Sequence, residues 1–143
     1  MEIRRLEFSD KVSFLSVLSH LTEVGTYNTS TWETVFYSVS NNPLQRCLVA
    51  IVNKEVVGTV SGIVQQRFIG GGKRTGWVED MVVHPNHRGK GISKSLMEAI
   101  NEFFKKHACT KVLGACEFGM QDIYKSSGYK RPKEEILIRK DFA

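Results

Sequence analysis

The sequence predicts a mixed α/β fold in which a central β-sheet, antiparallel at its front and parallel after a crossover, is flanked by helices. Two regions carry that expectation. Residues 47–52 and 56–64 are apolar, β-branched runs parted only by Asn53-Lys54-Glu55, a spacing that suits a short hairpin. Residues 77–83 form a third such run, and Pro85 ends it because proline cannot donate to a β-ladder. Beyond Gly89 and Gly91, the apolar positions Ile92, Leu96, Ile100 and Phe103 recur at helical spacing, and residues 110–116 return to strand character. Strand, glycine-rich turn, helix and strand in that order make a crossover unit.

The remaining elements fall around these. Residues 2–8 alternate charged and apolar side chains as a first strand does, and Ser9-Asp10 supplies cap chemistry for a helix through Leu21. Its apolar face is Phe14, Leu15, Leu18 and Leu21. After Gly25, residues 26–31 read as a loop and residues 32–39 as a second short helix, which Asn41-Asn42-Pro43 breaks. The strand from Val56 is expected to continue towards Ile69, with residues 70–74 as a turn into the central strand. The long helix spans residues 90–107. Residues 110–116 follow as a strand and residues 121–126 as a short helix ended by Gly128-Tyr129, while residues 136–139 read as a closing strand. The sequence has no internal repeat and no low-complexity segment.

At 143 residues, 41% hydrophobic and 24% charged, the chain is long enough for one core and too short for two ordinary domains, so a single domain over residues 1–143 is expected. The net charge of +5 would suit a polyanion or a small phosphorylated ligand. The basic residues are scattered among Asp and Glu rather than gathered into a run, which argues against a nucleic-acid binder. Cys47, Cys109 and Cys116 make an odd set without metal-ligand spacing, and His84, His87 and His107 share no ligand register, so no metal is expected. Met1-Glu2-Ile3-Arg4-Arg5 lacks the apolar stretch of a signal peptide, and the longest apolar run falls far short of a membrane span. A soluble, cytoplasmic protein that does not engage membranes is the expectation.

The glycine-rich turn is the first place where chemistry is legible. A helix N-terminus offers unpaired N–H groups and the positive end of a dipole, glycines let an anion approach the backbone, and Arg88, Lys90 and Lys94 add charge. It is not a dinucleotide fingerprint, since Lys94 stands where the third glycine belongs. Gly72-Lys73-Arg74 likewise fails as a Walker A loop. Immediately upstream, Glu79 and Asp80 are adjacent carboxylates in an otherwise apolar strand. Alternation would send one of them into a face of the sheet unless a bulge re-aims it. Next to a cationic amine, either could orient it or take its proton, directly or through water; the alternative is a surface pair at a strand edge. Tyr124 by itself reads as an amphipathic helix residue, and Cys116 as a buried free thiol with no His/carboxylate partner pattern beside it.

Arg88-Gly89-Lys90-Gly91-Ile92-Ser93 resembles the R-x-x-G-x-G/A loop of the GCN5-related N-acetyltransferases, departing only at Ser93, and Tyr124 with Gly128-Tyr129 resembles their Y-x-x-x-G-[YF] signature. The likeness extends over nearly the whole chain to the glucosamine-6-phosphate branch of that superfamily. It is carried further by Leu21-Thr22-Glu23-Val24-Gly25, Arg67-Phe68-Ile69, Val78-Glu79-Asp80-Met81-Val82-Val83, Cys109-Thr110-Lys111-Val112 and Ile138-Arg139.

This resemblance implies the acyl-CoA N-acyltransferase fold, acetyl-CoA as co-substrate without a metal, a homodimer, and direct acetyl transfer to the amine of an amino-sugar phosphate. It further implies that backbone groups of Met81, Val82 and Val83 hold the pantetheine arm and the thioester oxygen. Arg88, Gly89, Lys90, Gly91, Ile92, Ser93 and Lys94 would hold the diphosphate, Glu79 and Asp80 would face the sugar amine, and the Tyr124 hydroxyl would point at the sulfur of coenzyme A. Thr22, Arg67, Lys111 and Arg139, with Thr110 beside Lys111, match positions around the sugar phosphate and hydroxyls, some reached across the dimer. Three positions depart from the branch's pattern: Ala115 replaces a carboxylate, Gly70 a histidine and Met120 an asparagine, with Glu117 the nearest carboxylate to stand in. The rival readings are the same fold acting on a polyamine, an amino acid or a protein N-terminus, and a non-catalytic acyl-CoA-binding module. Such a module would be expected to lack Tyr124 or Glu79 and Asp80, and all three are present.

Overall fold

The computed structural model describes residues 1–142. Strands β1 (Glu2–Arg5), β2 (Gln45–Val52), β3 (Glu55–Gln66), β4 (Arg74–Val83) and β5 (Cys109–Gly114) form one five-stranded sheet, ordered in space as in sequence. The first three pairings are antiparallel and β4–β5 is parallel. Helices α1 (Lys11–Leu18) and α2 (Thr29–Ser40) follow β1, α4 (Ile92–Lys106) carries the crossover, and α5 (Gln121–Lys125) follows β5. The connection between β3 and β4, α3 (Ile69–Gly72), is a turn rather than a regular helix, since Gly70 and Gly71 sit at φ 62° and 72°.

The expected hairpin closes at two residues, Asn53 and Lys54, at φ 50° and 66°. Two successive left-handed residues give the turn whose twist matches that of the strands it joins, and Asn is among the side chains that accept it.

Strand alternation divides the core between the two faces of the sheet. Leu48 and Ala50 of β2 join Val60, Val64 and Val78 beneath Leu96, Met97, Ile100 and Phe104 of α4. Cys47, Val49 and Ile51 point the other way and pack with Phe14 and Val17 of α1 and Trp32 of α2. The α4 layer is set close to the sheet by glycines that leave room for it. A Cβ on Gly62 would fall 2.8 Å from Ile100 Cδ1, and one on Gly76 would fall 2.6 Å from Phe104 Cδ1, both well inside contact distance. On the other face, the Trp32 indole is buried and its Nε1–H donates to the Phe8 carbonyl at 3.1 Å, which satisfies its one polar atom.

Five expectations need correction. The second helix begins at Thr29, not at residue 32, because Asn28 caps it by accepting the Thr31 N–H at 2.8 Å. Residues 136–139 do not form a strand: the chain beyond α5 is irregular, and Ile136, Leu137 and Ile138 are 87%, 69% and 85% exposed. A strand requires a hydrogen-bonding neighbour, and within the described residues nothing pairs with the outer edge of β5. Strand β5 ends at Gly114 instead of 116, where its pairing with Val78 stops. Helix α1 ends at Leu18, short of Leu21, because the chain tightens there, with His20 N–H donating to Val17 O. The first strand stops at Arg5, as residues Phe8–Asp10 tighten into a 3-10 turn. Among the described residues, no helix is long and apolar enough to cross a membrane.

The 3-10 turn is held by an ion pair between the half-buried Arg4 and the buried Asp10. Arg4 donates to both carboxylate oxygens of Asp10 at 2.8 and 2.9 Å, and Glu7 N–H donates to Asp10 Oδ2 at 2.8 Å. The hydrogen bonds from Arg4, helped by that from Glu7, hold the Asp10 carboxyl below its ordinary pKa against the opposing effect of burial. A depressed folded-state pKa means that the contribution is complete above the unfolded-state value and is lost as pH falls through the folded one. Asp10→Asn is therefore expected to lower stability at neutral pH by about 1–3 kcal/mol and to flatten the acid side of the stability profile, as read by urea denaturation from pH 7 to pH 3.

Candidate active site

Strands β4 and β5 run side by side only as far as the pairs Trp77↔Leu113 and Val78↔Gly114. Beyond them β4 continues to Val83, whereas the chain after Gly114 turns away towards α5. A cavity of about 980 Å³ fills the resulting gap, with Val78 to Val83 along one wall and Ala115, Cys116, Glu117 and Tyr124 along another. The β5-facing edge of β4 from Glu79 to Val83 thus has no strand beside it. Peptide groups on such an edge can bind an extended, amide-bearing ligand as a strand binds its neighbour.

A bulge places the carboxylates. Strand pairing passes from Ser61↔Glu79 to Thr59↔Val82, so Val60 alone faces both Asp80 and Met81, and Asp80 takes a left-handed φ of 52°. The extra residue cancels the alternation, and Glu79 and Asp80 are both exposed on the cavity wall, with neither driven into the sheet. Surrounding protein displaces enough water from Asp80 to push its carboxyl above the ordinary range, which makes it a better proton acceptor than a free aspartate.

At the far end of β4, His84 caps a 3-10 turn over Pro85–His87 by accepting the Asn86 N–H on Nδ1 at 3.2 Å. Arg88 Nε donates to Val83 O at 3.0 Å and Lys90 Nζ to Asn86 O at 3.3 Å, which tie the turn back to the strand and to itself. Gly89 and Gly91 follow at φ 73° and 77°, and a Cβ on either would meet nothing within 4 Å. Here glycine answers a backbone requirement and not a shortage of room. Gly91 is the N-cap of α4 and has no side chain to bond the helix's first amides. Those amides are the unpaired N–H groups of a four-turn helix. With Gly89, Gly91, Ile92, Ser93 and Arg88 on the cavity wall, they suit a diphosphate. Lys90 and Lys94 are exposed outside the lining, and Lys94 lies 3.9 Å from Glu98.

Tyr124 stands near the point where the strands part. A Cβ on Gly114 would come within 2.7 Å of Val78 Cγ1 and 3.8 Å of Tyr124 Cε1. Its ring meets that of Tyr129 edge-on at 5.7 Å, and the Tyr129 hydroxyl donates to Asn101 Oδ1 of α4 at 2.6 Å, so α5 is anchored to the crossover helix. Burial raises the Tyr124 phenol, with smaller contributions from Cys116 and Asp80, and raises Tyr129 to about 12. Tyr124 therefore keeps its proton at neutral pH and can donate it.

Other expected site residues lie apart from the cavity. Thr22 is exposed in the loop after α1, Arg67 follows β3, and the Thr110 hydroxyl donates to Arg74 O at 3.3 Å. Lys111 Nζ is 4.0 Å from Glu135, and Arg139 Nε donates to Asp141 at 2.8 Å. None of these five lines the cavity. Cys116 is exposed on its wall, not buried, and among the described residues no histidine or carboxylate hydrogen-bonds to it. No cluster of potential metal ligands occurs among the described residues. Sequence reasoning passed over His20 and Leu137, both in the lining. His20 has no motif of its own and is brought there by the packing of α1; Leu137 lies in a segment whose apolar run reads as a strand.

The profile of the Acetyltransferase (GNAT) family matches residues 13–129. The chain is 29% identical, over 96% of its own length and 95% of the relative's, to the glucosamine 6-phosphate N-acetyltransferase of Trypanosoma brucei brucei. It is 25% identical, over 89% and 88%, to the glucosamine 6-phosphate N-acetyltransferase of Arabidopsis thaliana. The crystal structure of glucosamine-6-phosphate N-acetyltransferase from Arabidopsis thaliana superposes with a TM-score of 0.92 at 26% identity, covering 99% of this chain and 98% of that one. Since the matched span runs from α1 to the tyrosine that closes α5, and takes in the whole β4–turn–α4 unit, the chain belongs to the acetyltransferase (GNAT) family.

Proposed function

We propose that residues 1–143 form one N-acetyltransferase domain that moves acetyl from acetyl-CoA to the amine of D-glucosamine 6-phosphate, yielding N-acetylglucosamine 6-phosphate and CoA. The observation that carries the chemistry is the Asp80 bulge, which turns two carboxylates into the same cavity that ends in the uncapped α4 N-terminus. The acceptor is supported by relatives of that name matched from end to end in sequence and in structure.

In this reading the donor's diphosphate lies on the amides of the Gly89–Ser93 turn with Arg88, and its pantetheine amides pair with the open edge at Met81, Val82 and Val83. Glu79 and Asp80 hold the ammonium of the acceptor and take its proton, directly or through water. The neutral amine adds to the thioester carbonyl, the tetrahedral intermediate collapses with cleavage of the C–S bond, Tyr124 gives its proton to the leaving thiolate, and the proton lost by the new amide nitrogen restores the phenol. No bond to the enzyme forms, in keeping with an isolated Cys116.

A homodimer and a cytoplasmic setting belong to the same proposal. Exposed Ile136, Leu137 and Ile138 beside an unpaired β5 edge offer a surface for a second copy, through which Thr22, Arg67, Thr110, Lys111 and Arg139 would reach a sugar phosphate. Three free thiols suit a reducing compartment. A second reading, an acceptor without phosphate, is favoured by one observation: within a single chain the cavity is lined by Glu79, Asp80 and Glu117 while those five residues stand outside it.

Acetyl-CoA should raise the melting temperature, and Gly91→Val, which puts a β-branched residue at φ 77°, should abolish that shift in a protein that still folds. A shift of undiminished size would mean that the diphosphate binds elsewhere. In competition assays glucosamine 6-phosphate should exceed glucosamine, spermidine and an amino-terminal peptide in kcat/KM; parity with any of them would favour the second reading. Tyr124→Phe keeps the ring and removes the donor. Its kcat should fall on the order of 10²-fold with little change in acetyl-CoA affinity, and a wild-type kcat with chemistry rate-limiting would make Tyr124 a packing residue.

A further inference from the structure

We propose that His20 and His87 bind the diphosphate of the acyl donor together with the glycine-rich turn, an inference that rests on the donor assignment above. Both line the cavity, as do Arg88, Gly89 and Gly91. They come from separate parts of the chain, His20 from the turn after α1 and His87 from the 3-10 turn after β4.

The two rings are aligned through a third. His84 is anchored, because its Nδ1 accepts the Asn86 N–H and its proton is therefore carried on Nε2. His20 packs against it at a centroid distance of 4.7 Å and His87 at 5.9 Å, each with an interplanar angle of 79°. Edge-to-face contact fixes ring orientation at modest cost in side-chain freedom. Neither the His20 nor the His87 side chain makes a hydrogen bond among the described residues, so their ring nitrogens remain open to a ligand.

The local charge indicates an anion. Arg88 follows His87 directly, and α4 begins four residues after Arg88, at Ile92, with its first amides unpaired. The carboxylates of β4 are set back from this end, since Asp80 precedes His84 by four residues, on the order of 13 Å of extended chain. A neutral imidazole offers one N–H donor to a phosphate oxygen, and an imidazolium offers two with a charge. A packing role would explain the ring contacts but not the exposure of His20 on the cavity wall.

The test compares two donors, acetyl-CoA and S-acetylpantetheine, which shares the thioester arm and lacks the diphosphate. His20→Phe and His87→Phe keep an aromatic ring and remove the nitrogens; His20→Gln and His87→Gln repeat the comparison without the ring, and ligand-free melting temperatures verify folding. The expected result is a fall of about tenfold in kcat/KM for acetyl-CoA in each variant, carried by KM, against less than twofold for S-acetylpantetheine. An equal fall for both donors, or an unaltered value for acetyl-CoA, overturns the proposal. Failure of the unsubstituted chain to use or bind acetyl-CoA would overturn the donor assignment and this inference with it, an outcome separable from the others because it precedes any substitution.

Discussion

The separation of β4 from β5 after Val78 is the constraint on which the rest depends. Parallel strands stay paired while each can reach the other's peptide groups, and β5 stops at Gly114. The Asp80 bulge increases the local twist of β4 just beyond that point. Two effects therefore coincide within three residues: one strand ends and its neighbour bends. What would have been a sixth or seventh ladder rung becomes an open row of peptide groups along a cavity. The geometry holds because the opposite edge of β4 is still laddered to β3, and the near part of β4 is pressed against α4 through Gly76 and Phe104.

Electrostatics along β4 then follows from chain direction alone. At its middle, Glu79 and Asp80 supply negative charge; at its end the chain turns into a helix whose positive pole faces the cavity. One strand thus presents a site for a cation and a site for an anion, separated by a stretch of free backbone. In the proposed reaction these two ends would tell a thioester with an anionic tail from an acceptor amine. Burial raises Asp80 in the direction its role needs, since a carboxylate that accepts a proton is helped by a higher pKa, while the raised Tyr124 phenol stays protonated at neutral pH.

The outer edge of β5 and the tail that follows α5 leave unfinished business. Ile136, Leu137 and Ile138 carry the apolar content of a strand and are exposed, while Leu137 reaches the cavity and Lys111 of β5 approaches Glu135. The tail thus lies near the site without being part of the sheet. A strand-competent segment beside an unpaired edge is what a second copy of a chain can complete.

Where the information was local, the sequence alone determined the result. The Asn53-Lys54 reversal, the amphipathic face of α4 and the left-handed glycines at its start depend on residues within a few positions of one another. The adjacency of Glu79 and Asp80 already narrowed the outcome to a buried charge, a bulge or a surface pair at a strand edge. Tertiary structure alone decided which of these occurred, because a bulge exists only relative to the partner strand, here at Val60. It also decided that β5 ends early, that residues 136–139 find no strand to pair with, that His20 joins the same cavity as His87, and that Arg67, Lys111 and Arg139 do not enter it. The physical reason is common to all of these. A strand's end, a cavity and the company a side chain keeps are properties of the space between elements far apart in sequence, and no periodicity within a single element encodes that space.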